Sequence, residues 1–326
     1  MQPVPYPEVE GLERDRWILE RRPARNAVDP LKPYAFLLEE ECSHTGEVVP
    51  VATIFLTNRE CPWRCVMCDL WRNTLTEPVP TGAIPEQIGY ALSRLPAVPA
   101  IRQIKLYNSG SFFDPKAIPP EDYPQIAAAV LPFERVIVES HPSLVNERCP
   151  AFCELVRGQL EVAMGLETVH PKALELLNKK LTLEQFAAAA GRLRSNAIDL
   201  RVFILIQPPF VPAGEALFWA ERSLDFAFAC QATVVILIPT RAGNGAVDAL
   251  AVLGDFRPPE LSVVEAALSY GLSLERGRVF VDLWDMDKVP SCAACRGLRL
   301  DRLSRMNLSQ RRLPAITCGQ CGGGSA

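Results

Sequence analysis

A chain of 326 residues, 48% hydrophobic and 22% charged, is long enough to bury one barrel-sized core with appendages. Its formal net charge of −4 does not advertise nucleic-acid binding by the whole molecule, so any such role has to rest on local patches. The chain has no apolar run long enough to cross a bilayer, no signal-peptide pattern, and an odd count of eleven cysteines, which argues against a disulfide scaffold and for a reducing, cytoplasmic setting.

Residues 1–48 read as an N-terminal extension. Arg14, Arg16, Arg21, Arg22 and Arg25 surround Trp17 and Ile18, a run that suits a solvated basic face. Pro30 and Pro33 then break any helix. Residues 34–38 form a strand candidate that turns at Gly46 into 49–57, which is apolar and β-branched and reads as a buried parallel strand. Immediately after it come Cys61, Cys65 and Cys68, spaced to turn three thiolates toward one point. Thiolates are soft ligands for iron–sulfur clusters, zinc or copper(I). A [4Fe–4S] cube normally takes four cysteines, and the next one here is Cys149. Three ligands leave one iron open to a substrate or cofactor, whereas zinc would want a fourth ligand nearby.

Strand and helix patterns then alternate: helix over 81–95, strand 103–107, helix 123–130, strand 135–138, helix 144–157 interrupted by Pro150, strand 160–164, one long helical stretch 171–195, strand 200–206, helix 214–229, strand 233–238 and helix 259–270. Six strand–helix units from residue 49 predict an α/β fold with a parallel sheet. Periodicity alone leaves open whether that sheet is doubly wound or closed toward a barrel. Loops after parallel strands carry function in such folds. They place Asn108, Ser109, Gly110 and Ser111, then Glu139, Glu167 and Gln207, at strand ends. Arg241 with two glycines follows the sixth strand as a cradle for a carboxylate or phosphate, and His141 and His170 sit near other strand ends as acid–base or structural groups. Cys149, Cys153 and Cys230 fall on helical stretches and read as core packing.

Residues 281–326 form a small C-terminal module. Cys292, Cys295, Cys318 and Cys321 make two Cys-x2-Cys knuckles that suit tetrahedral zinc, with a second [4Fe–4S] cluster as the alternative. Between them, residues 288–314 contain Lys288, Arg296, Arg299, Arg302, Arg305, Arg311 and Arg312 against one acid, Asp301. Four of these arginines recur every third residue, predicting a helical ridge suited to phosphate and hence to RNA. Residues 322–326 read as a flexible tail.

Cys-x3-Cys-x2-Cys directly after a first strand resembles the radical S-adenosylmethionine (SAM) superfamily. The resemblance implies a partial (β/α)6 TIM-type barrel over residues 49–280. It implies a [4Fe–4S] cluster on Cys61, Cys65 and Cys68, whose open iron holds the amino and carboxylate groups of SAM. Reductive cleavage of SAM then gives a 5′-deoxyadenosyl radical that abstracts hydrogen. Met67 stands where the family has an aromatic residue near the adenine. By position, the 108–111 turn would hold the SAM amino group, Glu167 and Glu139 the ribose or ammonium, and Gln207 the adenine pocket. Residues 105–114, 139–142, 165–168 and the terminal cysteine knuckles together resemble the radical subunit of archaeosine synthase and, more distantly, the Elongator-type enzymes. That implies cleavage of a lysine carbon–nitrogen bond on a deazaguanine base in tRNA, an external electron donor and a partner subunit. A peptide, lipid or small metabolite as substrate, or a non-catalytic iron–sulfur or zinc RNA-binding protein, are the other readings.

Overall fold

The computed structural model describes residues 4–96 and 101–321, so the 322–326 tail lies outside the described residues. Eight strands form one sheet in chain order: β1 (Ala35–Cys42), β2 (Val48–Leu56), β3 (Gln103–Asn108), β4 (Arg135–Glu139), β5 (Gln159–Glu167), β6 (Asp199–Ile206), β7 (Val234–Pro239) and β8 (Arg278–Val281). β1 pairs antiparallel with β2, and every later pairing is parallel. The six expected units start on β2 through β7. They are joined or followed by α2 (Ala83–Leu92), α3 (Tyr123–Ala129), α4 (Arg148–Leu155), α5 (Pro171–Leu176) with α6 (Leu183–Ser195), α7 (Ala216–Ala229), and α8 (Ala246–Leu253) with α9 (Leu261–Ser273). α1 (Leu12–Leu19) precedes the sheet and α10 (Arg296–Ser309) follows it.

Strand residues alternate between two environments, as the two-residue period requires. Ala52, Ile54 and Leu56 of β2, Ile104 and Leu106 of β3, and Val202, Ile204 and Ile206 of β6 join helix residues such as Ile84, Ile88, Ile126, Phe186, Leu224 and Leu268 in the main apolar core. The alternate residues line the concave face. There Lys105 meets Glu39 at 2.7 Å and Glu41 at 2.6 Å, Arg201 meets Glu41 at 2.6 Å and Glu161 at 2.5 Å, and Arg135 meets Glu161 at 2.9 Å. Burial opposes charge on Glu41, but Arg201 and Lys105 outweigh it and hold the carboxyl well below its ordinary range. This lattice spans the barrel floor from β1 to β6. The first and last strands meet through side chains, with Arg278 Nη1 donating to the Cys42 carbonyl at 2.9 Å and Cys42 packed with Val234 and Phe280. The sheet therefore curls into a partial barrel with a charged floor and its loops at the other end.

Three expectations need correction. The 171–195 stretch is two helices, because Asn178 and Lys180 adopt left-handed backbone (φ 57° and 58°) and Thr182 starts α6 with a capping box to Gln185. Pro150 does not interrupt α4. It lies in the first turn, where no intrahelical N–H bond is lost. The arginine ridge on α10 is not a surface feature. Arg299 donates through Nε to Glu265 of α9 at 2.7 Å, and Arg302 reaches the same carboxylate at 3.0 Å and the Leu313 carbonyl at 2.7 Å. Both are buried, and Arg296 ties the 286–291 loop through the Met286 and Val289 carbonyls. Three-residue spacing drifts around a helix, so the ridge cannot stay on one exposed face. Arg305, Arg311, Arg312 and Lys288 remain exposed.

Candidate metal and cofactor site

The cysteine loop leaves β2 at the end of the barrel opposite the charged floor. Its neck is stapled by Glu60 N–H to the Leu75 carbonyl at 3.0 Å and Leu75 N–H to the Asn58 carbonyl at 2.9 Å. Inside the loop, Arg64 donates to the Cys61 carbonyl at 2.6 Å and Cys68 N–H to the Cys65 carbonyl at 3.2 Å. Asn244, before α8, donates to the carbonyls of Val66 (2.8 Å) and Cys68 (3.1 Å), while Val66 N–H donates to Leu177. Trp63 stacks on His141 at the end of β4, 3.8 Å between ring centroids and 12° from parallel. His141 is a pillar: one ring nitrogen pairs with the Lys179 carbonyl at 3.1 Å, the other accepts from Ser143 N–H, and burial together with Lys179 holds it neutral, down to about 3. His170 is likewise structural, accepting from Ala173 N–H to cap α5.

The N-terminal basic run is only partly solvated, with Arg16 exposed. Arg14 is fully buried, and Arg22 and Arg25 both pair with Glu60 in the cysteine loop, the former at 2.6 Å. Tyr6, Trp17 and Ile18 share an apolar cluster with Val66, Leu177 and Val247, against which Met67 packs. The extension thus straps the loop down from above.

Burial pushes each of the Cys61, Cys65 and Cys68 thiols up to about 12. Buried thiols of this kind ionise when a metal takes them, and a soft three-thiol set fits an iron–sulfur cluster in donor chemistry. The best-placed counter-charge was not singled out in the sequence. Lys179, buried between α5 and α6, pairs with Glu167. Burial works against its charge, but Glu167 and the neighbouring Cys65 and Cys61 outweigh that and raise it. Glu167 ends β5 in a left-handed conformation (φ 65°) at a register shift, and a Cβ on Gly165 would collide with both members of the pair.

The other expected cofactor contacts divide. Asn108 is buried, and both polar atoms of its side chain lack a partner. An unsatisfied buried amide is costly, and a ligand would repay it. Gly110 (φ 134°) brings the backbone so close to Cys61 that an added Cβ would lie 3.0 Å from the cysteine Cβ. Ser109 and Ser111 are engaged within the protein: one hydroxyl donates to the Leu70 carbonyl at 3.0 Å, and the other pairs with Ser140 and accepts from His141 N–H. Gln207, just past β6, has φ 53° and is buried at the sheet's mouth. Glu139 accepts from Asn108 N–H, and burial lifts its carboxyl to about 8. Arg241 is bound to Asp282 and the Trp284 carbonyl rather than left open for an anion.

Near the C-terminus the sulfurs of Cys292, Cys295, Cys318 and Cys321 all lie within 4.8 Å of one another, close enough to hold a metal ion, with Cys295 and Cys321 3.8 Å apart. This four-cysteine set brackets α10. Among the described residues no helix is long and apolar enough to cross a membrane.

The curled, mostly parallel sheet with a three-cysteine loop after its first parallel strand is a partial barrel whose fold is found in solved structures. The likeness covers 82% of this chain and 71% of methylornithine synthase, PylB (TM-score 0.53, 13% identity), and 68% of this chain and 59% of Elp3 from Methanocaldococcus infernus (TM-score 0.51, 13% identity). In sequence, the chain is similar to archaeosine synthase subunit beta of Methanosarcina acetivorans, 28% identical over 231 residues. That match covers 68% of this chain and 66% of the relative. No protein-family model matches.

Proposed function

We propose that this chain is a radical SAM enzyme of the archaeosine-synthase kind, acting as a carbon–nitrogen lyase on a modified base in tRNA. The observation that carries the radical reading is the anchored three-thiol loop beside the buried Lys179–Glu167 pair. Cys61, Cys65 and Cys68 would hold a [4Fe–4S] cluster. When bound and reduced, that cluster supplies the electron that splits SAM into methionine and a hydrogen-abstracting 5′-deoxyadenosyl radical. The protein's own residues bind and orient. The Lys179 ammonium suits the SAM carboxylate, and Glu167 suits its ammonium or ribose hydroxyls. The unsatisfied Asn108 amide offers both a donor and an acceptor, while Gly110, Met67 and Gln207 shape the pocket. Ser109 and Ser111 fix the turn.

The C-terminal four-cysteine set is proposed to hold zinc. Tetrahedral bonds of about 2.3 Å place sulfurs ~3.8 Å apart, the Cys295–Cys321 separation found here, whereas a four-iron cube spreads its ligands wider. The relative's name supports the tRNA reading. RNA contact would fall to Lys288, Arg305, Arg311 and Arg312, which stay on the surface. An external electron donor, a partner subunit and a reducing cytoplasm belong to the same proposal.

The test is anaerobic incubation of the reconstituted protein with SAM and dithionite. 5′-Deoxyadenosine is the expected product, and its absence at verified iron content would remove the radical reading. A gel shift with bulk tRNA that weakens steeply with salt is expected; no shift at moderate salt would remove the RNA part.

A further inference from the structure

The N-terminal extension brings more positive charge to the cysteine loop than the side chains there neutralise. Glu60, the residue before Cys61, is ringed by three guanidinium groups: Arg22 at 2.6 Å, Arg64 at 3.2 Å, and Arg25. Three cations on one carboxylate leave two positive charges in excess. Water reaches this node poorly, since only 7% of the Arg22 side chain and 11% of the Glu60 side chain are exposed. Arg22 also lies over the Trp71 ring, 4.7 Å from its centroid, and Trp71 Nε1 donates to the Cys68 carbonyl at 3.1 Å. Arg72 approaches the same indole at 5.7 Å. The Nε atoms of Arg22 and Arg72 are buried, and among the described residues neither has a hydrogen-bond partner. Buried positive charge in this surplus is costly unless an anion lies beside it. Asp69 follows Cys68 but is exposed, where the high dielectric of water weakens its pull. The anion that the arrangement suits is the one Cys61, Cys65 and Cys68 would hold. Burial dominates the Cys65 and Cys68 thiols and raises them, while Arg22 acts on both in the opposite sense, so its charge reaches two of the three ligands.

We propose that Arg22 is a positioning residue of the redox centre: carried in by the N-terminal extension, it joins Arg25 and Arg64 in stabilising the reduced, more anionic form of the cluster and so sets the potential at which the loop accepts an electron. This rests on the assignment of a [4Fe–4S] cluster to Cys61, Cys65 and Cys68. A cubane of charge 2+ on three thiolates is already an anion, and one electron from a low-potential donor makes it more negative by one charge. No bond forms or breaks in that step. Net charge around a cluster is one of the terms that set its potential, and the excess cations raise it, which eases reduction. The extension is therefore part of the redox site as well as a strap. The SAM carboxylate, the other anion proposed here, is assigned to Lys179, which leaves the arginine node free for the cluster.

The test is a redox titration of the full chain, cluster-reconstituted under anaerobic conditions and without SAM, with dithionite, mediators and electron paramagnetic resonance of the reduced cluster. Arg22→Gln removes one poorly hydrated charge and should lower the ratio of reduced to oxidised cluster about tenfold at a given potential, a downward shift of ~59 mV for one electron. Arg22→Lys keeps the charge and should leave that ratio within about threefold of wild type. Glu60→Gln removes the carboxylate and should move the potential upward, a reversal of sign that a loosened loop would not produce. An unchanged potential in Arg22→Gln, a lysine variant that shifts as far as the glutamine one, or a downward shift in Glu60→Gln overturns the proposal. So does an Arg22→Gln variant that keeps its potential but loses SAM affinity in calorimetry, which would make Arg22 a SAM anchor. Where Arg22→Gln fails to load iron, Arg25→Gln and Glu60→Gln decide the matter, with shifts of opposite sign expected and shifts of the same sign, or none, refuting it. A wild-type chain that forms no reducible cluster defeats the cluster assignment itself, whereas a cluster indifferent to these charges defeats only the role given to Arg22.

Discussion

Glu139→Gln should make the protein more stable, and increasingly so as pH rises. The carboxyl stands beside Tyr107 on the inner face, and burial lifts it from 4.5 to about 8. Between those values the folded chain keeps a proton that the unfolded chain has released. Folded protein therefore binds more protons, and stability falls as pH climbs through this window, levelling off above about 8. At about 1.4 kcal/mol per tenfold in proton affinity the full loss is roughly 5 kcal/mol. Glu139 keeps part of its surface open to the lumen, so solvent screening cuts this to about 2–3 kcal/mol. Glutamine is isosteric and still accepts from Asn108 N–H, so the variant removes the titration without removing the hydrogen bond. Urea unfolding of cluster-reconstituted wild type and variant, without SAM, should give equal midpoints near pH 5. The variant should lead progressively up to pH 8. A difference that stays flat, or shrinks with rising pH, would show that the carboxyl is not desolvated as described.

Three other outcomes follow from the same geometry. Glu265→Ala strands the guanidinium groups of Arg299 and Arg302 in the core and should cost about 3–5 kcal/mol in urea unfolding; a loss under about 1 kcal/mol would mean these arginines are solvated. Gly165→Ala pushes a methyl group into the Glu167–Lys179 pair, and calorimetry should show SAM binding weakened about tenfold, the cost of disturbing one charge-assisted contact; unchanged affinity would place SAM elsewhere. Cys318→Ser should abolish bound zinc in elemental analysis while leaving about four irons per chain on the other cysteines; loss of iron instead would make the C-terminal cysteines the ligands of a second cluster.

The barrel was legible because its signal is local. β-branched apolar runs alternating with amphipathic segments mark β2 to β7, and the cysteine spacing marks the loop after β2. The mistakes came where side-chain direction decides the outcome. Arg22 and Arg299 look alike in a sequence, yet each finds a carboxylate, Glu60 or Glu265, tens of residues away in the chain. Lys179 carried no motif, and its role arises only because Asn178 and Lys180 break the helix and the chain folds back over Glu167. The charged floor did leave a trace. Lys105, Glu161 and Arg201 are charges at inward positions, each flanked on both sides by apolar strand residues, a pattern that a solvent-facing strand would not need to pair. Glu41, the residue that joins Lys105 to Arg201, lies at the end of the antiparallel β1, beyond the reach of periodicity.

The central claim is an iron with no protein ligand, and electron paramagnetic resonance reads it directly. In the dithionite-reduced, reconstituted protein, a [4Fe–4S]+ signal should change shape when SAM is added and should vanish in the Cys61, Cys65 and Cys68 alanine variant. A signal that ignores SAM, or that survives loss of those three thiols, would contradict the account.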